Sequence, residues 1–554
     1  MLHKALICVL LLSACAQPDG SSAAELSNAQ TLSFPIQKDL QDLDPATMGI
    51  LAPDLGIARN IFGGLYQFDA ALKVVPDIAV GPPDISADGL TYTFHLRRDA
   101  RFSNGDPVTA SNFVYSWNRV ESLASSSLRL IANPAQTFPL LEVVKGYDDV
   151  RIGRSKSMVG LAALDDHTLI VTLSRPAGYW LAELALPYTW VLDERVIRSR
   201  GEETWWTTPE GLVGTGPFRM TSRAPGQSLE FAPVDNWWGG STGHLKKMRV
   251  EIVPDLKEQV AGYRNARYDV VGAAEAGQLV HEEDLTPFLA AASDEVRRGE
   301  LFTGPAWSNR TLSFNVVSGP LSQAEDGQKG RQALSLAIDR QKVADAVCGT
   351  AKICAAAASG GILLPGMSGY LGDKGDLYRP REAKSLLQAW DPDGSKLKGL
   401  KIATSSRPAF LRMAENVRNQ WATNLGVHAD VEVLQANATL PSCGNRPESV
   451  AVNGYILPFD EPRFWYRSQF VAGGGCWGGY QNASFEALLN TADLQQPSQA
   501  GDAYVKAGRL LVDDAAFVGV LYTKRFMLIK PYIRGAGFNA VYDGPWSEIK
   551  ILKH

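Results

Sequence analysis

Two hydrophobic patterns divide the chain. Leu90, Tyr92, Phe94 and Leu96 alternate with Thr91, Thr93 and His95, as in a half-buried strand whose successive side chains point to opposite faces. Leu169, Val171 and Leu173 alternate in the same way, and Gln30 to Ile36 reads as a first strand. Ile57, Ile61 and Leu65 recur at helical spacing and predict a helix over Ala52 to Tyr66. Thr109 is placed to cap a helix running through Phe113 and Trp117. Strands with few helices between them predict an antiparallel or mixed sheet in Val74 to Glu203. The second half differs. Leu334, Ala337, Ile338, Val343 and Val347 form an apolar helical stripe over Gly330 to Val347. Leu400 and Ile402 mark a strand, Met413, Val417, Trp421 and Leu425 one helix face, and Val427, Ala429, Val431 and Val433 a further strand. Strand, helix and strand with short joins make a βαβ unit with a right-handed crossover, so this half is α/β.

The N-terminus alters the picture. Lys4 precedes an apolar run from Ala5 to Leu12, too short to span a bilayer but suited to a signal peptide. Leu12-Ser13-Ala14-Cys15 resembles the lipobox of bacterial lipoproteins, in which the cysteine is acylated. The expectation is a signal peptide over residues 1–14, a lipid on Cys15 and a flexible tether over 15–30; an ordinary signal peptide cut near Ala24 is the alternative. The chain is then exported and held to the cell envelope, in the periplasm or on the outer face of the cell membrane. Of six cysteines, Cys8 leaves with the signal, and Cys348, Cys354, Cys443 and Cys476 remain for disulfides. Three connectivities are open, of which Cys348–Cys354 with Cys443–Cys476 is preferred. A zinc site is the rival, but the spacing lacks close CxxC pairs and no histidine lies nearby.

At 554 residues the chain is too long for one ordinary core and implies two or three domains. Its net charge of -5, from 54 basic and 59 acidic residues well interspersed, argues against a nucleic-acid surface. The seven histidines are scattered singly, with no HExxH, so neither metal nor other cofactor is expected. Ser395 to Lys398 matches SxxK by chance in a Gly- and Asp-rich loop, Gly366 to Gly369 fails the nucleophile-elbow spacing, and no phosphate-binding glycine loop opens a helix. No enzymatic constellation survives.

A series of short motifs runs through the chain in order. Asn60 to Tyr66 is followed by Val75-Pro76-Asp77, Gly89 to Arg97, Phe102 to Ala110 and Val114 to Trp117. Gly214 to Phe218, Asn236-Trp237-Trp238, Arg331 to Leu334, Ala337 to Arg340, Leu364 to Met367 and Lys530 to Ile533 complete it. Together they resemble the extracytoplasmic solute-binding proteins of oligopeptide, dipeptide and nickel ABC importers (solute-binding protein family 5). The resemblance implies a bilobed periplasmic-binding-protein fold of type II, two mixed-sheet α/β lobes joined by a two-strand hinge. Lobe I would comprise residues 31–73, 204–312 and 516–554, carry a subdomain at 74–203, and face lobe II at 313–515. The hinge strands would lie near Thr303 to Leu312 and Phe517 to Thr523.

The resemblance also implies a ligand. In peptide-binding members an extended peptide pairs its backbone with strands of both lobes, a form of β-augmentation. Ile50, Leu51 and Ala52 match the first-lobe strand; Gly454, Tyr455, Ile456, Leu457, Pro458 and Phe459 match the second. Such members carry an aspartate, pairing with the ligand's α-amino group, where this chain has Pro458, which supplies no charge and no N–H. Asp460 and Glu461 are the carboxylates nearest to replace it, although Asp460 reads equally well as a turn residue. Arg463 and Trp465 just downstream are suited to an acid or a ring. The reading is a monomeric receptor that hands a peptide to the permease subunits of an ABC importer. A non-peptide cargo (haem, a metal complex, a sugar or another apolar solute) and a non-transport envelope scaffold are the alternatives.

Overall fold

The alternating segments pair much as their patterns require. The computed structural model describes residues 25–48, 54–124, 140–272, 288–349, 355–358, 360–372, 377–434, 449–457, 460–471, 480–495, 497–539, 541 and 543–554. The signal segment, Cys15, Cys354, Cys443 and Cys476 lie outside these residues. The described end of the expected tether is bonded to the rest of the protein: Ser27 N donates to Ile551 O at 2.9 Å, and the Gln30 amide exchanges bonds with Ile551 at 2.7 and 3.0 Å.

Thr31–Ile36 runs parallel to Lys247–Ile252, and Ser228–Pro233 and Phe218–Ala224 extend this sheet antiparallel. A second, antiparallel sheet has the order Asp84–Ile85, Thr91–His95, Thr168–Thr172, Leu161–Asp165. Its apolar set of Tyr92, Phe94, Leu169 and Val171 is buried. The helix Ala110–Ala124 supplies Phe113 and Trp117, also buried, and Trp117 meets Trp180 edge-on at 6.2 Å. This is the sheet expected within Val74 to Glu203.

A seven-stranded mixed sheet dominates the second half. Lys401–Ser405 pairs parallel with Asp430–Leu434 and with Ser449–Ile456, and the helix Pro408–Leu425 joins the first two. This is the expected βαβ unit. The strand Leu301–Phe314 pairs antiparallel with Phe517–Ile529 along most of its length. One end of this pair meets Val270–Val271 and the other Ser449–Ile456, so the two strands run from one half of the molecule into the other. Register shifts between Pro305 and Asn309, and between Arg310 and Thr311, interrupt the ladder, and such bulges bend a strand.

Two helices differ from the sequence pattern. The one expected over Ala52 to Tyr66 is a single turn, Leu55–Ala58, and Tyr66 already lies in a strand. The cause is tertiary: the carbonyls of Asn60 and Ile61 accept from Phe218 N and Gly216 N instead of continuing a helix. The stripe over Gly330 to Val347 is split into Gln328–Leu336 and Arg340–Cys348, because the Asp339 side chain caps the second helix at Lys342 N.

The motifs around Asn60, Asp77, Arg97, Gly214 and Trp237 converge on one junction. Gly214 and Gly216 lie against the backbone of Ile61 and Asn60, and Gly63 against the Asp77 carboxylate. The indole N–H groups of Trp237 and Trp238 both donate to Thr215 O, at 2.8 and 3.0 Å, and Arg97 lies 5.0 Å over the Trp238 ring. The motifs therefore lock the first sheet to the antiparallel subdomain sheet. A Cβ at Gly214 would sit 2.1 Å from Ile61 O, whereas one at Gly501, within the helix Pro497–Asp513, meets nothing within 4 Å. In denaturant titrations Gly214→Ala is expected to lose about 1–3 kcal/mol of stability, and Gly501→Ala to gain about 0.5–1 kcal/mol. Equal effects at the two sites would contradict this reading of the junction.

Candidate ligand-binding cleft

Carboxylates turned inward shape the first wall. Asp54, 2% exposed, accepts from Gln41 N and Asp42 N at 2.7 and 2.8 Å. Asp44 takes a two-pronged bond from Arg119 at 2.6 and 2.9 Å, and a third from the Trp205 indole at 3.2 Å. Arg119 also reaches Glu202 at 2.7 Å. Burial raises the carboxyls of Asp42 and Asp54 to about 6. These bonds fix the chain on both sides of Ile50, Leu51 and Ala52, which themselves lie outside the described residues.

The second wall is the end of Ser449–Ile456 and the turn into the helix Pro462–Phe470. Gly454 is exposed, and a Cβ there would lie 2.9 Å from Arg310 Nη1 and 3.1 Å from Phe410 Cζ. The guanidinium groups of Arg310 and Arg407 lie 5.2 and 5.0 Å from the centre of the Phe410 ring. Tyr455 is half-buried and meets Trp465 edge-on at 6.0 Å. Leu457 is fully buried, its N–H donating to Trp307 O at 2.6 Å. Of Ile456 only the backbone is described, and Pro458 and Phe459 lie outside the described residues.

Both carboxylates that follow Pro458 are engaged within the protein. Asp460 accepts from Ser368 N at 2.7 Å and Ser368 Oγ at 2.8 Å, a tie across 92 residues of chain. Glu461 caps the helix through Arg463 N at 3.1 Å and accepts from Tyr504 Oη at 3.3 Å. Burial pushes the Glu461 carboxyl up to about 7. Arg463 does meet acids and a ring, and they are the protein's own: Glu142, Glu183, Asp493 and Tyr179. Trp465 is enclosed at 4% exposure. Of these residues the structure brings Tyr455 and Trp465 together, whereas Gly454, Asp460 and Arg463 each face other partners. Sequence reasoning missed Arg310, Phe410 and the Asp44–Arg119 clamp; an arginine inside the otherwise uncharged run Ser308 to Phe314 was the available signal.

A cavity of about 880 Å³ lies elsewhere, on the antiparallel subdomain sheet, between Asp77, His95, Arg97 and His167. Among the described residues no group of three His, Cys, Asp or Glu side chains is placed to hold a metal ion, and no helix is long and apolar enough to cross a membrane. Ser395 of the SxxK match donates to Asp393 at 2.8 Å within its own turn.

Residues 73–472 match the model of the bacterial extracellular solute-binding proteins, family 5, and the chain belongs to that family. It is therefore an extracytoplasmic receptor with the bilobed type II fold rather than an enzyme. The periplasmic murein peptide-binding protein MppA of Escherichia coli is 24% identical over 99% of this chain and 98% of its own. The oligopeptide-binding protein OppA of Bacillus subtilis is 26% identical over 92% and 91%. The probable deoxycholate-binding periplasmic protein YgiS of Escherichia coli is 24% identical over 90% and 89%. Among solved structures, the unliganded open form of MppA superposes with a TM-score of 0.78 at 22% identity, over 96% of this chain and 99% of that one.

Glu461 generates a prediction with a definite sign. Its folded carboxyl titrates near 7 and the ordinary one near 4.5, so in this window the folded chain holds a proton that the unfolded chain has released. Stability from this group therefore declines as pH rises from about 4.5 to 7. Glu461→Gln retains an acceptor for both bonds and removes the titration. In thermal melts at pH 5, 6 and 7, the variant is expected to lose less stability with rising pH than the wild type; parallel curves would overturn the assignment.

Proposed function

We propose that the chain binds extended peptides between its two lobes and delivers them to the permease subunits of an ABC importer. The observation that carries this reading is the second wall: a strand of a mixed sheet, Ser449–Ile456, with exposed Gly454 near its end and the aromatic side chain of half-buried Tyr455 next to it. Backbone pairing to such a strand grips a main chain and leaves side chains free to vary. Ile50 to Ala52 would pair from the opposite side, presented by the Asp44 and Asp54 anchors. Kinship with peptide-binding MppA and OppA points the same way. The lobes would be residues 31–73, 204–312 and 516–554 against 313–515, with 74–203 riding on the first.

The same proposal includes a signal peptide over residues 1–14, a lipid on Cys15 and a monomeric receptor. It pairs Cys348 with Cys354 and Cys443 with Cys476. Support for the first pair is that the buried Cys348 sulfur, at the end of its helix, is disulfide-bonded.

A second reading, a non-peptide apolar solute, is favoured by one specific observation. Asp460 and Glu461 are both committed to protein partners, so neither is the cation anchor expected beside Pro458. Similarity to a probable deoxycholate-binding protein is consistent with it. Native mass spectrometry of protein purified without refolding separates the two. The peptide reading expects a family of adducts that fragment into amino-acid sequences. A single non-peptide adduct would replace it with the second reading. In follow-up melts, a true ligand at 100 times its dissociation constant adds about 2.7 kcal/mol.

A further inference from the structure

None of the candidate cleft residues lines the cavity on the subdomain sheet, whose volume of about 880 Å³ falls within the roughly 300–1,000 Å³ of small-molecule sites. Its frame is fixed by backbone bonds. His95 and Thr168 face each other across two paired strands, and Leu96 N donates to His167 O at 2.8 Å, which holds the Leu96–Arg98 segment against the turn Asp166–His167. Most of the surrounding charge is spent inside the protein. Arg97 Nε and Nη2 bond the two oxygens of Asp99, each at 3.2 Å, and His95 Nε2 lies 3.0 Å from Asp84 Oδ2. Asp165 accepts from His167 N at 2.7 Å and from Thr168 Oγ1 at 3.1 Å. Arg98, Asp166 and the His167 ring are left over. The side chains of Arg98 and Asp166 are exposed and make no hydrogen bond or ion pair with any described residue. His167 Nδ1 is enclosed yet has no hydrogen-bond partner among the described residues, and a buried polar atom left unpaired is costly.

We propose that this cavity is a second ligand site, for a small zwitterion of the amino-acid type, with its carboxylate on Arg98 and its ammonium on Asp166 and His167 Nδ1. The residual charge calls for a guest of both signs. A lone anion would satisfy Arg98 but face Asp166 and also Asp165, whose carboxylate keeps its charge. A lone cation would satisfy Asp166 but face Arg98. A metal ion fits poorly, because no three His, Cys, Asp or Glu side chains converge among the described residues. A zwitterion meets both leftover charges, gains two charge-assisted bonds and brings no net charge into the cavity. Asp77, half-buried in the lining, accepts from Gly64 N at 3.2 Å, and burial raises its carboxyl to about 7, so it is only partly ionised at neutral pH. The site belongs to the subdomain alone and does not depend on what the cleft holds.

Nuclear magnetic resonance of the whole chain with isotope-labelled histidine tests this, the His167 Cε1–H signal being identified by its loss in His167→Gln. Free L-alanine is titrated in, and acetate and ethylammonium separately at matched ionic strength. Alanine is expected to move the His167 signal saturably, and each half-ligand to need about tenfold more for the same shift. Arg98→Gln and Asp166→Asn, both at exposed positions, should each weaken alanine about tenfold. The signal of exposed His428, outside the cavity, should stay where it is. A His167 signal unmoved by alanine, or moved equally by the two half-ligands, would overturn the site, as would alanine shifts unchanged in both variants. Because the readout is local to His167, a solute held in the cleft leaves the result interpretable.

Discussion

The molecule turns on the antiparallel pairing of Leu301–Phe314 with Phe517–Ile529. These strands are the only described ones that reach from the partner strand Val270–Val271 at one end to Ser449–Ile456 at the other. Their central residues are polar yet enclosed: Ser308, Asn309, Thr311 and Ser313 are nearly inaccessible. Asn309 donates to Ile362 O at 3.2 Å, Asn453 to Ser313 Oγ at 2.6 Å, and Thr523 Oγ1 to Ser308 O at 3.4 Å. Buried polar groups with fixed partners specify one register more sharply than an apolar strand would. The ladder also breaks there, at the two register shifts, which is where a strand pair can bend without losing its ends.

Carboxylates do much of the remaining work of placement. Asp44, Asp54, Asp77, Asp460 and Glu461 each collect hydrogen bonds from backbone or side-chain donors. Enclosure raises Asp54, Asp77 and Glu461 toward neutrality, to about 6, 7 and 7. A chain that uses its acidic groups in this way keeps few of them available at the β-strand corner for a ligand's cation.

Much of this was legible in the sequence wherever a pattern has one physical cause. Period-two alternation located Thr91–His95, Thr168–Thr172 and Asp430–Leu434, and helical spacing located Pro408–Leu425. It failed where tertiary bonds override local periodicity, as when Phe218 and Gly216 claim the carbonyls of Asn60 and Ile61 and end a helix after one turn. The candidate cleft was legible only through resemblance. Nothing local tells that Asp460 serves Ser368, 92 residues away, or that Arg463 serves Glu142. Long-range ion pairs leave no periodic trace.

In the proposed receptor, two lobes close over a guest by bending at one strand pair. Small-angle scattering addresses it most directly, on protein stripped of bound solute by denaturation and refolding and then reloaded with its own extracted ligand pool. Loading is expected to give a smaller radius of gyration and a changed mid-angle profile. Superimposable curves, with binding confirmed by mass spectrometry on the same samples, would contradict it.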